Sequence, residues 1–160
     1  MPRRPRRDRK ETAKRPEDAV SRTRTSDCMC GAVALELAGE PAFQVYCHCE
    51  SCRGWLGAPI HAASLWPATN VRITRGADLL GTWKRTEASH RKFCQRCGTP
   101  VLIDHPALGM VDVPAGHIQG LAYQPTLHVH YGEGDGDARR AAQVQDVPKD
   151  FGGSGVEIPE

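Results

Sequence analysis

The chain has 160 residues, of which 39% are hydrophobic and 25% charged, and its formal net charge at pH 7 is +2. This length and composition are typical of one globular domain with some flanking chain. No apolar run approaches the 18 or so residues of a membrane-spanning helix, and the basic N-terminus lacks the apolar segment of a signal peptide. We therefore expect a cytoplasmic protein with no membrane association, whose thiols stay reduced.

The N-terminal segment differs from the rest of the chain in charge. Residues 1–27 carry ten Lys/Arg and five Asp/Glu, a net +5, whereas the remainder carries eleven and fourteen, a net −3. The segment has one Val and no aromatic residue, so it cannot bury enough apolar surface to offset its chain entropy. We predict a disordered tail over residues 1–26, either a solubilising extension or an arm through which nucleic acid could be contacted.

From residue 27 onward the sequence predicts short strands separated by turns. Val33, Leu35 and Leu37 alternate with smaller or polar residues, as in a half-buried strand. No segment before residue 137 shows a sustained 3.6-residue period, so a domain over residues 27–132 is predicted to be mainly β. Further strands are predicted within residues 42–49, 59–66, 71–74, 79–85, 89–94, 100–104, 109–116 and 126–132.

The C-terminal segment, residues 133–160, is predicted to lie outside that domain. Residues 137–145 are the helical candidate, and the chain beyond them is rich in Gly and Pro. We interpret this segment as a short helix or a Gly/Pro-rich tail.

Seven cysteines fall into three clusters, C-x-C at 28–30, C-x-C-x-x-C at 47–52 and C-x-x-C at 94–97. An odd number cannot pair completely in disulfides, and a reducing compartment disfavours disulfides in any case. A C-x-x-C turn presents two sulfurs to one metal, and Gly98 permits the positive φ that such a turn often uses. The clusters therefore indicate metal binding, with zinc as the favoured ion.

The C-x-C spacing is interpreted through strand geometry. On a strand, residues i and i+2 project to the same side, so Cys28 and Cys30 can share a metal while Met29 points away. The same geometry directs the cysteines on either side of His48 one way and the imidazole the other way. His48 is therefore predicted to be structural, or to support the ligands from behind, rather than to bind the metal of its neighbours.

Seven thiols divide naturally into four and three. In one division the local triplet at 47, 49 and 52 holds one metal and the remaining two pairs hold another; in a second, Cys28 and Cys30 pair with two of the middle three. Spacing does not choose between them, but either division leaves one of two zinc sites short by a thiol.

The fourth position of the short site decides its chemistry. Four protein ligands make a closed structural site, whereas three protein ligands and an exchangeable fourth are typical of catalytic zinc. The alternative is that His128 or His130 supplies the fourth ligand and closes the site. These two histidines share one face of the last predicted strand, where they are also candidates for acid–base groups.

The cysteine clusters occur with characteristic flanks: C-x-C-G at 28–31, CHCESCR at 47–53 followed by GAP at 57–59, FCQRCGTP at 93–100 and PTLHVHY at 125–131. In this order and at these separations the chain, over about residues 27–132, resembles the glutathione-dependent formaldehyde-activating enzyme family, whose domain is shared with centromere protein V. The resemblance implies an antiparallel β-tent fold with two zinc ions per chain, one structural and one catalytic.

The resemblance also implies roles for individual cysteines. The structural zinc ligands would be Cys28, Cys30, Cys94 and Cys97, and the catalytic zinc ligands Cys47, Cys49 and Cys52. The implied activity is that of a carbon–sulfur lyase, or of an enzyme that forms thiol–aldehyde adducts, acting on a small thiol and an aldehyde. In the family these are glutathione, as co-substrate, and formaldehyde, which together give S-hydroxymethylglutathione.

Two features bear on the substrate. Gly54, Trp55 and Leu56 stand where the family commonly has a basic and a small polar residue, so this wall of the site is bulkier and more apolar. Arg53 is placed nearest by sequence to hold a glutathione carboxylate. Further cationic candidates are Arg85, Arg91 and Lys92.

A second class of function competes with the enzyme. The chain could be a non-catalytic, zinc-stabilised binding module that uses its basic tail to reach nucleic acid or a protein partner. The two hypotheses differ in whether a thiol exchanges at the second metal site. The sequence leaves the oligomeric state open.

Overall fold

The structure of the protein is a computed structural model that describes residues 22–133. Within them the chain is mainly β, with one α-helix, α1 (Glu50–Leu56), and short 3-10 helices in several connections. None of the helices described there has the length and apolar character needed to span a bilayer. The strands are β1 (Thr23–Asp27), β2 (Ala34–Ala38), β3 (Phe43–Cys47), β4 (His61–Pro67), β5 (Val71–Arg75), β6 (Leu80–Thr86), β7 (Ser89–Cys94), β8 (Pro100–His105), β9 (Met110–Pro114) and β10 (Leu127–Val129).

The strands form two sheets. A three-stranded sheet has the order β1-β2-β5, and a seven-stranded sheet has the order β10-β3-β4-β9-β8-β7-β6. Every ladder is antiparallel except that between β10 and β3, which is parallel. The predicted mainly β architecture is confirmed, and each segment predicted to be extended contains a strand.

The core lies between the two sheets. Leu35 and Leu37 of β2 are fully buried and pack in one cluster with Trp66 of β4 and Val113 of β9. The Trp66 indole N–H donates to the Ser64 hydroxyl at 3.1 Å, so the largest core side chain is also satisfied in its polar atom. Cys28 and Cys94 belong to the same buried cluster.

The first strand begins inside the segment that composition assigned to the tail. Thr23–Asp27 pairs along its whole length with β2, and Arg24 is 9% exposed. The Arg24 guanidinium donates to both carboxylate oxygens of Glu40, at 2.8 and 2.9 Å, and to the Gly39 carbonyl at 2.7 Å. The ordered domain therefore begins before residue 27, where the sequence placed its start. The prediction required apolar residues in a strand, whereas this strand is stabilised by its paired arginine. Residues 1–21, including most of the predicted tail, lie outside the described residues.

The helix α1 was not predicted. It has seven residues, about two turns, so no repeating 3.6-residue pattern can develop within it. Its ends are instead fixed by local contacts: the Cys49 sulfur accepts from the N–H of Cys52 at the N-terminus, and Gly57 takes a left-handed conformation at the C-terminus. The helix predicted over residues 137–145 lies outside the described residues.

Candidate metal centres

Four cysteine sulfurs from two turns converge at one end of the core. Cys28 and Cys30 flank a turn after β1, while Cys94 ends β7 and Cys97 lies in the turn before β8. All four sulfurs lie within 4.8 Å of one another. Those of Cys28 and Cys30 are 3.6 Å apart, and those of Cys30 and Cys94 are 3.9 Å apart. Sulfurs held tetrahedrally at Zn–S distances of about 2.3 Å would be about 3.8 Å apart, so this group fits a zinc ion.

The convergence of Cys28 and Cys30 has a different origin from the one predicted. The two residues lie in a turn and not on a strand, and each cysteine turn ends in a glycine of positive φ, Gly31 at 69° and Gly98 at 77°. Met29 does point away, since its side chain is 83% exposed. The turn, and not the alternation of side chains along a strand, therefore brings the two sulfurs together.

Backbone and hydroxyl groups surround the four-cysteine group. The Val33 N–H donates to the Cys28 sulfur at 3.2 Å. The Thr99 hydroxyl oxygen accepts from the Met29 N–H at 3.2 Å and lies 3.1 Å from the Cys97 sulfur. Hydrogen bonds from Thr99 lower the pKa of Cys97 to about 6. These contacts favour the thiolate, which is the form that binds metal.

Three further sulfurs converge where β3 passes into α1. Cys47 ends the strand, Cys49 is the N-cap of the helix, and Cys52 lies in its first turn. Their sulfurs lie within 4.8 Å of one another, and Cys47 is buried while the other two are partly exposed. The structure thus brings the seven cysteines together as four and three, with the local triplet forming its own group.

Ionisation of the triplet is strongly coupled. Hydrogen bonds from Cys47 and Cys52 lower the pKa of Cys49 to about 2. Hydrogen bonding to Cys49 and Cys52 raises the pKa of Cys47 above its ordinary value. The contact with Cys47 lowers the pKa of Cys52, but Cys49 and burial outweigh it and raise that pKa to about 12. Three neighbouring thiolates therefore require a cation, which a divalent metal would supply.

The histidines predicted near this site do not join the cysteine triplet as ligands, although His130 lies close enough to act electrostatically on Cys49. His48 and His128 are fully buried and contact each other, His48 Nε2 to His128 Nδ1, at 2.5 Å. Neither His128 nor His130 belongs to the group of atoms that the triplet brings within 4.8 Å. The strand ends at Val129, and His130 adopts a left-handed conformation (φ 55°) with its Nδ1 3.2 Å from Glu133. The predicted shared face of His128 and His130 is therefore wrong.

A buried His–Asp pair lies beside the triplet and was missed. His61 of β4 is opposite Cys47 in the β3–β4 ladder, and its Nε2 is 2.7 Å from Asp112 Oδ2. Burial lowers the pKa of His61, but the charge and hydrogen bond of Asp112 raise it by more, so the net shift is upward. The two residues are 51 positions apart, and no spacing in the sequence connects them. Only the pairing of β4 with β9 brings them together.

This chain is similar in sequence and fold to known proteins. The sequence profile of the family described as glutathione-dependent formaldehyde-activating enzyme matches residues 23–133, more than half of the chain. The chain belongs to this family. It is also similar to an uncharacterized lyase of Schizosaccharomyces pombe, with 32% identity over 73 residues, which is 46% of the chain. The chain spans about half of that relative, 51% of its length.

A solved structure supports the fold. The crystal structure of a Rhodobacter sphaeroides protein is similar with a TM-score of 0.51 and 23% identity, over 77% of this chain and 99% of that one. The family match begins at Thr23, the first residue of β1, and so includes the strand that composition had assigned to the tail.

This member of the formaldehyde-activating family places a buried arginine against its cysteine triplet. Arg91 is 3% exposed and donates to the Ser51 carbonyl at 2.6 Å and to the Ser51 hydroxyl at 2.8 Å. Its Nη2 lies 3.9 Å from the Cys52 sulfur. Its guanidinium carbon is 5.6 Å from the ring centroid of Trp55 and 5.7 Å from that of Trp83. Within residues 22–133 no carboxylate forms a salt bridge with Arg91.

The other three predicted cations lie in different surroundings. Arg85 approaches α1, since its Nε donates to the Ser51 hydroxyl at 3.1 Å. Arg53 donates to the Glu133 carbonyl at 3.1 Å, at the C-terminal end of the described chain. Lys92 is directed to Thr82 at 3.5 Å. Arg85 and Arg91 therefore accompany the helix that carries Cys52, and Lys92 does not.

Proposed function

We propose that this chain is a zinc-dependent carbon–sulfur lyase that cleaves, and in reverse forms, a thiol–aldehyde adduct of the S-hydroxymethylglutathione type. In this proposal a β-tent, antiparallel except for the ladder between β10 and β3, binds two zinc ions, one structural and one catalytic. Membership of the formaldehyde-activating family supports the reaction class, and so does the name of the lyase relative. The reaction needs a small-molecule thiol and an aldehyde.

The structural zinc would be held by Cys28, Cys30, Cys94 and Cys97. Four sulfurs at these separations complete a tetrahedral shell, which leaves no position for a substrate. Two of the four cysteines belong to the buried core cluster, so the ion would also support the fold.

The observation that carries the proposal is the triplet of Cys47, Cys49 and Cys52 next to a buried arginine. Three sulfurs supply three of the four ligands that zinc takes, and three thiolates on Zn²⁺ give a net charge of −1. Within residues 22–133 the buried Arg91 guanidinium has no carboxylate in a salt bridge, and such a cation needs a counter-charge. A metal–thiolate centre beside Arg91 provides that charge, whereas three neutral thiols would not.

When bound, the catalytic zinc would hold a fourth sulfur as thiolate near neutral pH. In the lyase direction the hydroxyl proton of the adduct is lost, the carbonyl C=O forms, and the C–S bond breaks. Its electron pair stays on the sulfur, which leaves as thiolate and regains a proton as free thiol. The reverse order adds a thiolate to the aldehyde carbonyl, so no oxidant or reductant is needed.

The chain's own residues would orient and balance this chemistry. Arg91 offsets the negative charge that grows when a fourth thiolate approaches the triplet. His61 lies opposite Cys47 on the neighbouring strand β4, and its ring is held by Asp112. This pair keeps that side of the site polar. Arg53 is expected to meet a carboxylate of glutathione.

The first experiment is zinc per chain in the wild type and in Cys52→Ala, with a glutathione titration followed at the metal. We expect two zinc ions in the wild type, one in the variant, and in cobalt-substituted protein a thiolate charge-transfer band that grows with glutathione only when Cys52 is present. Formaldehyde release from S-hydroxymethylglutathione is then measured on the same samples. Two zinc ions indifferent to glutathione, together with no aldehyde release, would refute the proposal and leave a zinc-stabilised binding module.

A further inference from the structure

An open groove of about 390 Å³ lies on the outer side of α1. Its lining combines two indoles, a glycine, a hydroxyl and two opposite charges. The six residues are Glu50, Ser51, Gly54, Trp55, Trp83 and Arg85. A one-carbon aldehyde would leave a groove of this volume empty, so there is room for a larger group beside the helix that carries Cys52.

The two indoles offer a flat apolar surface. The rings of Trp55 and Trp83 are nearly parallel, at 19°, with their centroids 6.0 Å apart. Trp83 is 47% exposed although it is one of the largest apolar side chains of the described chain. An exposed tryptophan stacked on a half-buried one beside a groove favours a ligand with a flat π face, because ring faces and edges pack best with other rings.

Gly54 keeps the groove open. It lies in the middle of a seven-residue helix, where glycine costs about 1 kcal/mol relative to alanine. A Cβ added at Gly54 would meet no atom within 4 Å, so packing does not require a glycine there. Its φ is not positive, so neither does backbone conformation. The missing side chain leaves space in the groove.

The groove and the cysteine triplet both include residues of α1. One side chain, that of Arg91, contacts Cys52 of the triplet and the two indoles of the groove. Cys52 follows Ser51 and precedes Gly54 on α1. Arg91 contacts the Cys52 sulfur at 3.9 Å and lies over both indoles at 5.6 and 5.7 Å. A substrate whose sulfur reached the triplet would therefore have the groove within the span of one side chain.

We propose that this groove binds an aromatic substituent carried on the substrate sulfur or on the aldehyde carbon. The enzyme would then prefer thiol adducts of aromatic aldehydes to that of formaldehyde. This inference rests on the proposed lyase function. The rim supports it through one charge of each sign, Glu50 and Arg85, which suits an aromatic group attached to a zwitterionic peptide thiol.

The test uses two thioethers that a lyase of this type cannot cleave, S-benzylglutathione and S-methylglutathione. They share the tripeptide and differ only in the group on sulfur, so calorimetric titration of the zinc-loaded full chain isolates the groove's contribution. We expect the benzyl compound to bind at least tenfold more tightly than the methyl compound. Tryptophan fluorescence should be quenched by the benzyl compound, as expected for a ligand on Trp55 and Trp83.

Gly54→Leu fills the groove without meeting a neighbouring atom at Cβ, and should reduce the tenfold preference to less than twofold. Gly54→Ala is its matched control, because it brings the same gain in helix propensity with only one added methyl group, and should keep most of the preference. Trp83→Ala should lower benzyl binding several-fold with little change in methyl binding. Zinc content and thermal unfolding confirm that each variant is folded.

Two results would overturn the inference. Equal affinity of the wild type for both thioethers would show that no aromatic site exists. Equal weakening of both by Gly54→Leu would show that the tripeptide itself occupies the groove.

The lyase proposal is judged separately, by aldehyde release both from S-hydroxymethylglutathione and from the glutathione hemithioacetal of benzaldehyde. A benzyl preference without any aldehyde release would keep the groove and reject the lyase. Aldehyde release without a benzyl preference would do the reverse.

Discussion

The two cysteine groups use the same donor atom in different structural settings. Cys28 and Cys30 follow a strand of the three-stranded sheet, whereas Cys94 ends a strand of the seven-stranded sheet and Cys97 lies in the turn after it, so the four-cysteine group joins both sheets. The three-cysteine group lies within a single connection, between β3 and α1. The first is anchored in the core by Cys28 and Cys94, while its other two cysteines are exposed; the second has one buried and two partly exposed cysteines at a helix start beside a groove.

This comparison shows how one element can be directed to two purposes. In the proposed function, four sulfurs would make a closed site that stabilises the fold, while three sulfurs would leave one position for an incoming ligand. The neighbours differ accordingly. A threonine hydroxyl and backbone N–H groups surround the first group, and a buried arginine and a His–Asp pair accompany the second.

The largest expected effect separates the groups by stability. Cys94→Ser should abolish the four-sulfur site and prevent stable folding, because structural zinc contributes about 10–16 kcal/mol in small domains and a whole domain has about 5–15 kcal/mol. Cys49→Ser should leave the fold intact, since serine is a good N-cap and keeps α1 capped. Circular dichroism and zinc content measure both. If the two variants lost structure equally, the division into a structural and a functional site would be wrong.

An intermediate effect tests the charge beside the triplet. Arg91→Met should weaken zinc binding at the three-cysteine site tenfold or more, because contacts to a charged group contribute about 1.5–3 kcal/mol. Arg85→Met is the matched control, since Arg85 contacts the same Ser51 hydroxyl but, among the described residues, only Arg91 donates to the Cys52 sulfur. Competition with a colorimetric chelator gives both affinities.

Two results would contradict this role of Arg91. A similar loss in Arg91→Met and Arg85→Met, or a loss at the four-cysteine site, would show that Arg91 serves only to anchor α1. Arg91→Lys should restore part of the affinity if charge is what matters, because lysine keeps the charge and loses the fork of donors.

The smallest effect concerns support of the four-cysteine group. Thr99→Val is nearly isosteric and removes the oxygen that accepts the Met29 N–H and contacts Cys97, so it should cost about 1 kcal/mol of stability. Urea unfolding of the zinc-loaded protein measures this, and glutathione binding at the triplet should not change. A change in glutathione binding without a loss of stability would reverse the roles assigned to the two groups.

Part of this structure could be predicted from sequence because it depends on local patterns. Strand alternation located the extended segments, and the spacing of the seven thiols limited the partition to a few choices. The choice among these partitions depends on the three-dimensional fold, because Cys28 and Cys94 are brought together by two sheets. Family resemblance supplied that choice, and the sulfur positions agree with it.

The remaining features depend on contacts that local patterns do not record. The strand over Thr23–Asp27 is polar, and pairing with β2 and the Arg24–Glu40 contact compensate for the apolar residues it lacks. The helix α1 is too short for a period to appear. Arg91 is an ordinary strand cation in the sequence, and only the placement of β7 beside α1 makes it a buried partner of Cys52.

The sequence separation within each group sets the order in which metal can be captured. The triplet spans residues 47–52, so its sulfurs can meet in an unfolded chain at little loop-closure cost. The four-cysteine group joins residues 64 positions apart, from Cys30 to Cys94, and requires both sheets to have come together. During synthesis the chain would therefore offer its three-cysteine site first and its four-cysteine site last. A zinc ion taken up early would bind at the site proposed to be catalytic.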